Sequence, residues 1–144
     1  MTISTQQIST KLGQLLQEKS ANIHGYRSEG AESLVYTRRV TGTVPLYRYW
    51  NSALGDHFYT TASSEIGTTA PGETGQHGYV SEGIVGYCFP SSVPGTVPLH
   101  RYWSGGDHFY TTDVAEIGTT AIGQAGQYGY RYEGVACYVL PYYE

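Results

Sequence analysis

The sequence predicts an all-β fold, a β-trefoil or trefoil-like barrel of repeats of about 50 residues with one N-terminal helix. The first observation behind this is a duplication. Residues 42–50 return as 95–103 with Tyr47 replaced by His100, residues 56–61 return unaltered as 107–112, and residues 65–69 return as 116–120. The offset is 53 before the intervening turn and 51 after it. The second observation is composition: 19 glycines, 15 tyrosines and only 14 % charged residues suit aromatic strands joined by many turns. The third is local pattern, since short aromatic and β-branched runs alternate with Gly- and Ser-rich punctuation. A copied unit shares a core that neither copy builds alone, so the chain reads as a single repeat domain over residues 1–144.

In chain order, residues 1–41 form a leading half-unit. Ile8, Leu12, Leu15 and Leu16 fall on one face at helical spacing, with Ser9 or Thr10 as a cap, which predicts a helix over about residues 5–19. Residues 24–30 match 77–83 and 128–134, so the second half of the unit occurs three times and the first half only twice. The full units are 42–94 and 95–144. Within each, strands at 46–50 and 57–61 flank a turn at 51–55, which shortens to 104–106 in the second copy. Residues 63–78 read as a polar loop with one helical turn at 64–66. Residues 79–82 and 84–89 read as a second strand pair, interrupted at Gly83 by a bulge or tight turn.

Charge excludes some functions. The net charge is −4 and Arg38-Arg39 is the one basic pair, which predicts no nucleic-acid partner. No apolar run approaches the roughly 20 residues of a membrane span, and the N-terminus has no signal-peptide pattern. Cys88 and Cys137 occupy non-equivalent places in the repeat, which predicts two reduced core thiols in a cytoplasmic protein.

The Asp-His-Phe-Tyr-Thr-Thr element carries the chemistry. On a strand, His57, Tyr59 and Thr61 share one face while Phe58 and Thr60 share the other, and His108, Tyr110 and Thr112 repeat the split. Sugars are held by an aromatic face under their C–H surface and by carboxylate, imidazole and amide groups on their hydroxyls. Two near-equivalent carbohydrate sites are therefore expected: Trp50, Asn51, Asp56, His57 and Tyr59 in one copy, and Trp103, Asp107, His108 and Tyr110 in the other. The competing reading has Asp and His pairing inside the fold while Tyr and Phe fill the core. Two histidines without a tight local pair give weak grounds for a metal, and no metal or other cofactor is expected. No pair of carboxylates is singled out for glycoside hydrolysis, and there is no Gly-x-Ser-x-Gly elbow, so the chain is not expected to be an enzyme. The Glu-Gly steps at Glu29, Glu82 and Glu133 read as turn chemistry, with sugar contact as the alternative.

The series Leu46-Tyr47-Arg48-Tyr49-Trp50, Gly55-Asp56-His57-Phe58-Tyr59-Thr60-Thr61 and Gly78-Tyr79-x-x-Glu82-Gly83 resembles a repeat family of bacteria and fungi. Its members are often attached to cell-wall-active hydrolases. By length and period the chain is more loosely similar to lectin-like β-trefoil proteins of mushrooms, including the light subunit that accompanies fungal tyrosinase. It lacks the Gln-x-Trp signature of ricin-type lectins, so their sugar-binding residues do not transfer. These resemblances imply a non-catalytic, lectin-like module whose partners are glycans, of mannose type or from cell walls. The alternative is an interaction subunit that docks on a larger enzyme, such as a tyrosinase, without binding sugar.

Overall fold

A computed structural model of the chain describes residues 33–141, and within them the fold is all-β. The strands are β1 (Ser33–Leu34), β2 (Val44–Asn51), β3 (Asp56–Thr60), β4 (Val80–Cys88), β5 (Val97–Ser104), β6 (Asp107–Thr111) and β7 (Arg131–Pro141). They form an antiparallel sheet in the order β3-β2-β4 and a second in the order β1-β7-β5-β6. The described strands close no barrel. The expected helix over residues 5–19, and the rest of the leading half-unit up to residue 32, lie outside the described residues.

The duplication is visible in three dimensions. Trp50 pairs with His57 in the first hairpin, and Trp103 with His108 in the second. The second hairpin turns through Gly105-Gly106, both at positive φ (50° and 103°), as a two-residue turn between right-twisted strands requires. The unit has three strands, not the four expected. Residues 80–88 run as one strand past Gly83, because β-bulges accommodate the irregularity instead of breaking the ladder. Opposite β2 the ladder skips Val85 and Glu82, and opposite β5 it skips Ala136 and Glu133.

Each repeat buries a private cluster, and four members correspond: Tyr49, Phe58, Ile66 and Tyr79 in one, Tyr102, Phe109, Ile117 and Tyr130 in the other, which adds Tyr132 where the first repeat has Ser81. The tyrosine hydroxyls are satisfied in the same way, Tyr49 donating to the Thr68 carbonyl and Tyr102 to that of Thr119. A polar loop closes over each cluster at a glycine with no room for a side chain. A Cβ at Gly75 would lie 2.4 Å from the Ile66 carbonyl oxygen, and one at Gly126 lies 2.2 Å from that of Ile117.

A third cluster is shared and includes Val35, Leu46, Tyr59, Cys88, Leu99, Tyr110, Cys137 and Val139. Around it the strand ends pair in a cycle. Tyr36 bridges to Tyr87, Phe89 bridges to Tyr138, and Leu140 pairs with Leu34. By the repeat offsets, Tyr36, Phe89 and Leu140 are equivalent positions, and so are Leu34, Tyr87 and Tyr138. Every step of the cycle therefore joins one kind of position to another kind.

This offset overturns the expectation of two reduced cysteines. Cys88 and Cys137 are disulfide-bonded, with Cα atoms 6.2 Å apart, and no described cysteine is free. Non-equivalence in the repeat was the wrong criterion, because contacts between successive units always join non-equivalent positions. Val35 is the equivalent of Cys88, and Gly86 the equivalent of Cys137. At the preceding step Val35 packs so closely over Gly86 that a Cβ there would lie 2.7 Å from Val35 Cγ2.

Thiol titration in denaturant without reductant is therefore expected to find no reactive cysteine. The double substitution Cys88→Val with Cys137→Gly copies the contact of the preceding step. It is expected to fold to the same circular-dichroism spectrum and to lose about 2–4 kcal/mol in urea unfolding, as removal of a disulfide does.

Candidate functional site

The joint between the two repeats is built on Asp56. It ends the longer hairpin turn at the start of β3 and is fully buried. Its Oδ1 accepts from the His108 backbone N–H at 2.7 Å. Its Oδ2 accepts from the Tyr79 hydroxyl at 2.5 Å and lies 2.7 Å from His108 Nδ1. The motif aspartate thus meets the histidine of the next repeat. Each motif histidine instead lies against the tryptophan opposite it, Trp50 on His57 at 4.4 Å and Trp103 on His108 at 4.5 Å between ring centroids. Burial and the bond to Asp56 push the Tyr79 hydroxyl far above its ordinary pKa, so it stays a donor.

From His108 the network runs outward. Its Nε2 lies 3.2 Å from Glu133 Oε1, which also accepts from Arg101 Nε at 2.8 Å. Arg101 then reaches across the joint, with Nη1 and Nη2 at 3.3 and 3.2 Å from the two carboxylate oxygens of Glu65. The guanidinium lies over the Phe58 ring at 4.6 Å from its centroid. Cation–π contact of this kind contributes about 0.5–2 kcal/mol, more as water is excluded. The bulge explains Glu133: Arg101 pairs with Gly134, and the extra residue before it turns its side chain toward the joint.

Both outer carboxylates are held ionised. Burial alone would raise the Glu133 carboxyl, but His108 and Arg101 outweigh it and hold it below the ordinary value. Burial opposes ionisation of Glu65 too, and bonds from Arg101 and Thr60 reverse the sign.

Above this network lies a cleft of about 360 Å³. The first repeat contributes Leu54, Phe58, Glu65, Ile66, His77 and Tyr79, and the second contributes Arg101, Trp103, His108 and Glu133. Leu54 stands on the tip of the longer hairpin turn and lies against Gly106 of the shorter one. His77 is exposed at the rim, in a left-handed backbone conformation at φ 60°. The amide of Asn51 donates to its carbonyl at 2.9 Å. A non-glycine residue there costs of order 1–3 kcal/mol, and such strain gathers at functional sites.

Of the residues expected to bind sugar, Trp103 and His108 line this cleft, and Asp56 lies beneath it with no exposed surface. Asn51 is a buried turn-former whose Oδ1 accepts from Leu54 N and whose amide holds His77. Tyr59 and Tyr110 are core residues packed edge to face at 5.1 Å, and the Tyr110 hydroxyl accepts from Tyr59 N. Asp107 accepts from the Tyr130 hydroxyl. Trp50 and His57 do not line the cleft; Glu82 lies 3.5 Å from His57 and accepts from Arg48. Sequence reasoning left Phe58, Glu65, Arg101 and Glu133 out of the expected sugar sites, although it offered sugar contact as the second reading of Glu133. The available signal was that an Arg-Tyr-Trp step and a Glu-Gly step recur together in both repeats. Among the described residues no three of His, Cys, Asp and Glu converge as a metal centre needs, and no helix is long and apolar enough to cross a membrane.

A comparison with protein families matches residues 17–140 to the family described as Domain of unknown function (DUF5648). No curated protein and no solved structure matches the chain.

The network makes two predictions. Asp56→Ala strands the Tyr79 hydroxyl and the His108 N–H in a dry joint, and it is expected to cost about 3–5 kcal/mol in urea unfolding. Glu65 and Glu133 have folded pKa values below their unfolded ones. Their contribution is therefore complete above the ordinary glutamate value of 4.5 and is lost as pH falls through the folded values. Melting temperature is expected to drop below about pH 4.5, and to drop less steeply in Glu65→Gln, which lacks one of the titrating groups.

Proposed function

We propose that this chain, which belongs to the DUF5648 family, is a non-catalytic carbohydrate-binding module whose ligand sits in the cleft between its two repeats. The observation that carries this reading is the cleft's composition. An indole face on Trp103 stands beside fixed polar groups on Glu65, Glu133 and Arg101. Its volume lies within the range of small-ligand sites, which combine apolar contact with a few placed polar atoms. On this reading the ligand sits in one composite site between copies, in place of the two separate sites expected from sequence.

The direction of the acid shifts supports a non-catalytic role. A glycosidase needs a carboxyl with a raised pKa to protonate the leaving oxygen. Both carboxyls at the cleft surface are shifted the other way and are matched to Arg101. The cyclic pairing of three strand ends supports a trefoil-like pseudo-threefold arrangement. The disulfide supports a place of work in an oxidising compartment, not the cytoplasm. The alternative, a subunit that docks on an enzyme, draws support from Ile84 and Ile122, exposed at 47 % and 79 %.

A glycan array followed by calorimetry on the hits tests the reading. Trp103→Ala is expected to weaken sugar binding about tenfold, or about 1.4 kcal/mol. Trp50→Ala, its counterpart outside the cleft, is expected to leave affinity unchanged. Both variants need the parent's melting curve. A parent that retains no glycan rejects the sugar reading, and co-purification with an enzyme then favours the docking subunit.

A further inference from the structure

Resting on the sugar reading, the charge of the same cleft narrows the ligand. Among the described residues Arg101 is the one guanidinium lining it, and that guanidinium is already occupied. Its Nε donates to Glu133, both terminal nitrogens donate to Glu65, and its face is covered by Phe58. Only 13 % of its side chain is exposed. A carboxylate or sulfate on a sugar would have to displace one of these acids while facing the other.

The acids are in the opposite position. Glu65 and Glu133 keep 38 % and 31 % of their side chains exposed. Glu133 places Oε1 on Arg101 and His108, while its Oε2 takes no hydrogen bond from the described residues. Asp56 stands behind them as a third carboxylate, against the Tyr79 hydroxyl and the backbone N–H and ring Nδ1 of His108. Carboxylates thus outnumber guanidinium three to one at the cleft and directly beneath it. Trp103 supplies ring surface, which attracts cations as well as C–H faces.

We infer that the cleft selects amino sugars with a free ammonium group over their N-acetylated counterparts and excludes acidic sugars. The ammonium lies toward Glu133 Oε2 while the ring stacks on Trp103. An ammonium is a compact triple donor, and a carboxylate oxygen with open lone pairs is its natural acceptor. Acetylation removes the charge and adds bulk at the same atom.

The test is calorimetry with three probes: a short glucosamine oligomer, the same oligomer fully N-acetylated, and an oligogalacturonate. The glucosamine oligomer is expected to bind about tenfold more tightly than the acetylated one at low salt, with the gap shrinking as salt screens it. The oligogalacturonate is expected not to bind. Glu133→Gln, which keeps an oxygen for Arg101, is expected to abolish the amine preference. Glu82→Gln, on the equivalent bulge of the first repeat, is expected to keep it. Melting curves of both variants separate these effects from unfolding. Equal binding of the two glucosamine forms overturns the inference and leaves the sugar reading intact, as does an amine preference that survives Glu133→Gln. Failure of all three probes, together with an empty glycan array, overturns the sugar reading and this inference with it.

Discussion

The carboxylate of Asp56 is the constraint on which the rest of the structure depends. It is buried at the seam between repeats, where an unmatched charge would cost several kcal/mol, so the folded chain must bring it donors. Those donors come from both sides: the Tyr79 hydroxyl from its own repeat, and the backbone N–H and ring of His108 from the next. Satisfying one side chain therefore fixes the two hairpins relative to each other. Once they are fixed, Arg101 lies over Phe58 and within reach of Glu65, and Trp103 borders a cleft instead of open solvent.

The seam is heterologous. One repeat presents its aspartate, phenylalanine and loop glutamate, and the next presents its arginine, tryptophan, histidine and bulge glutamate. Since both repeats carry both sets, each unit is complementary to its own copy in front and behind, as in stacked repeat proteins. Private aromatic clusters hold each unit together, and a shared cluster with cyclic strand-end pairing holds the units to one another. A heterologous seam also distributes function differently from an isologous one. Its surface belongs to the pair, so the six cleft residues from one repeat are far in sequence from the four of the other.

That division explains what could be read in the chain. The strands expected at 46–50 and 57–61, found at 44–51 and 56–60, were legible with their copies because residue type and turn punctuation act locally. The fourth strand of the unit was a misreading of Gly83, where the ladder absorbs an extra residue instead of ending. The aromatic-plus-acid character of the site was legible too, but its membership was not. Asp56 and His57 are neighbours in sequence, yet Asp56 bonds His108, and no periodicity reveals which copy a side chain will meet. Glu133 was taken for turn chemistry because a bulge looks like a turn from sequence. The cysteines were misjudged for the same reason as the site, since equivalence within a repeat was mistaken for proximity between repeats.

The two hairpin turns differ by two residues, and this small asymmetry has a consequence for how such chains can be enlarged. Leu54 rides on the longer turn and walls the cleft by resting on the Gly105-Gly106 turn of its neighbour. A turn as short as Gly105-Gly106 has no residue to extend in this way. The long turn therefore walls a cleft toward its neighbour, and the short one does not. Exchanging the order of the repeats would preserve every strand while leaving the cleft without one of its walls, so the tandem has a grammar as well as a period.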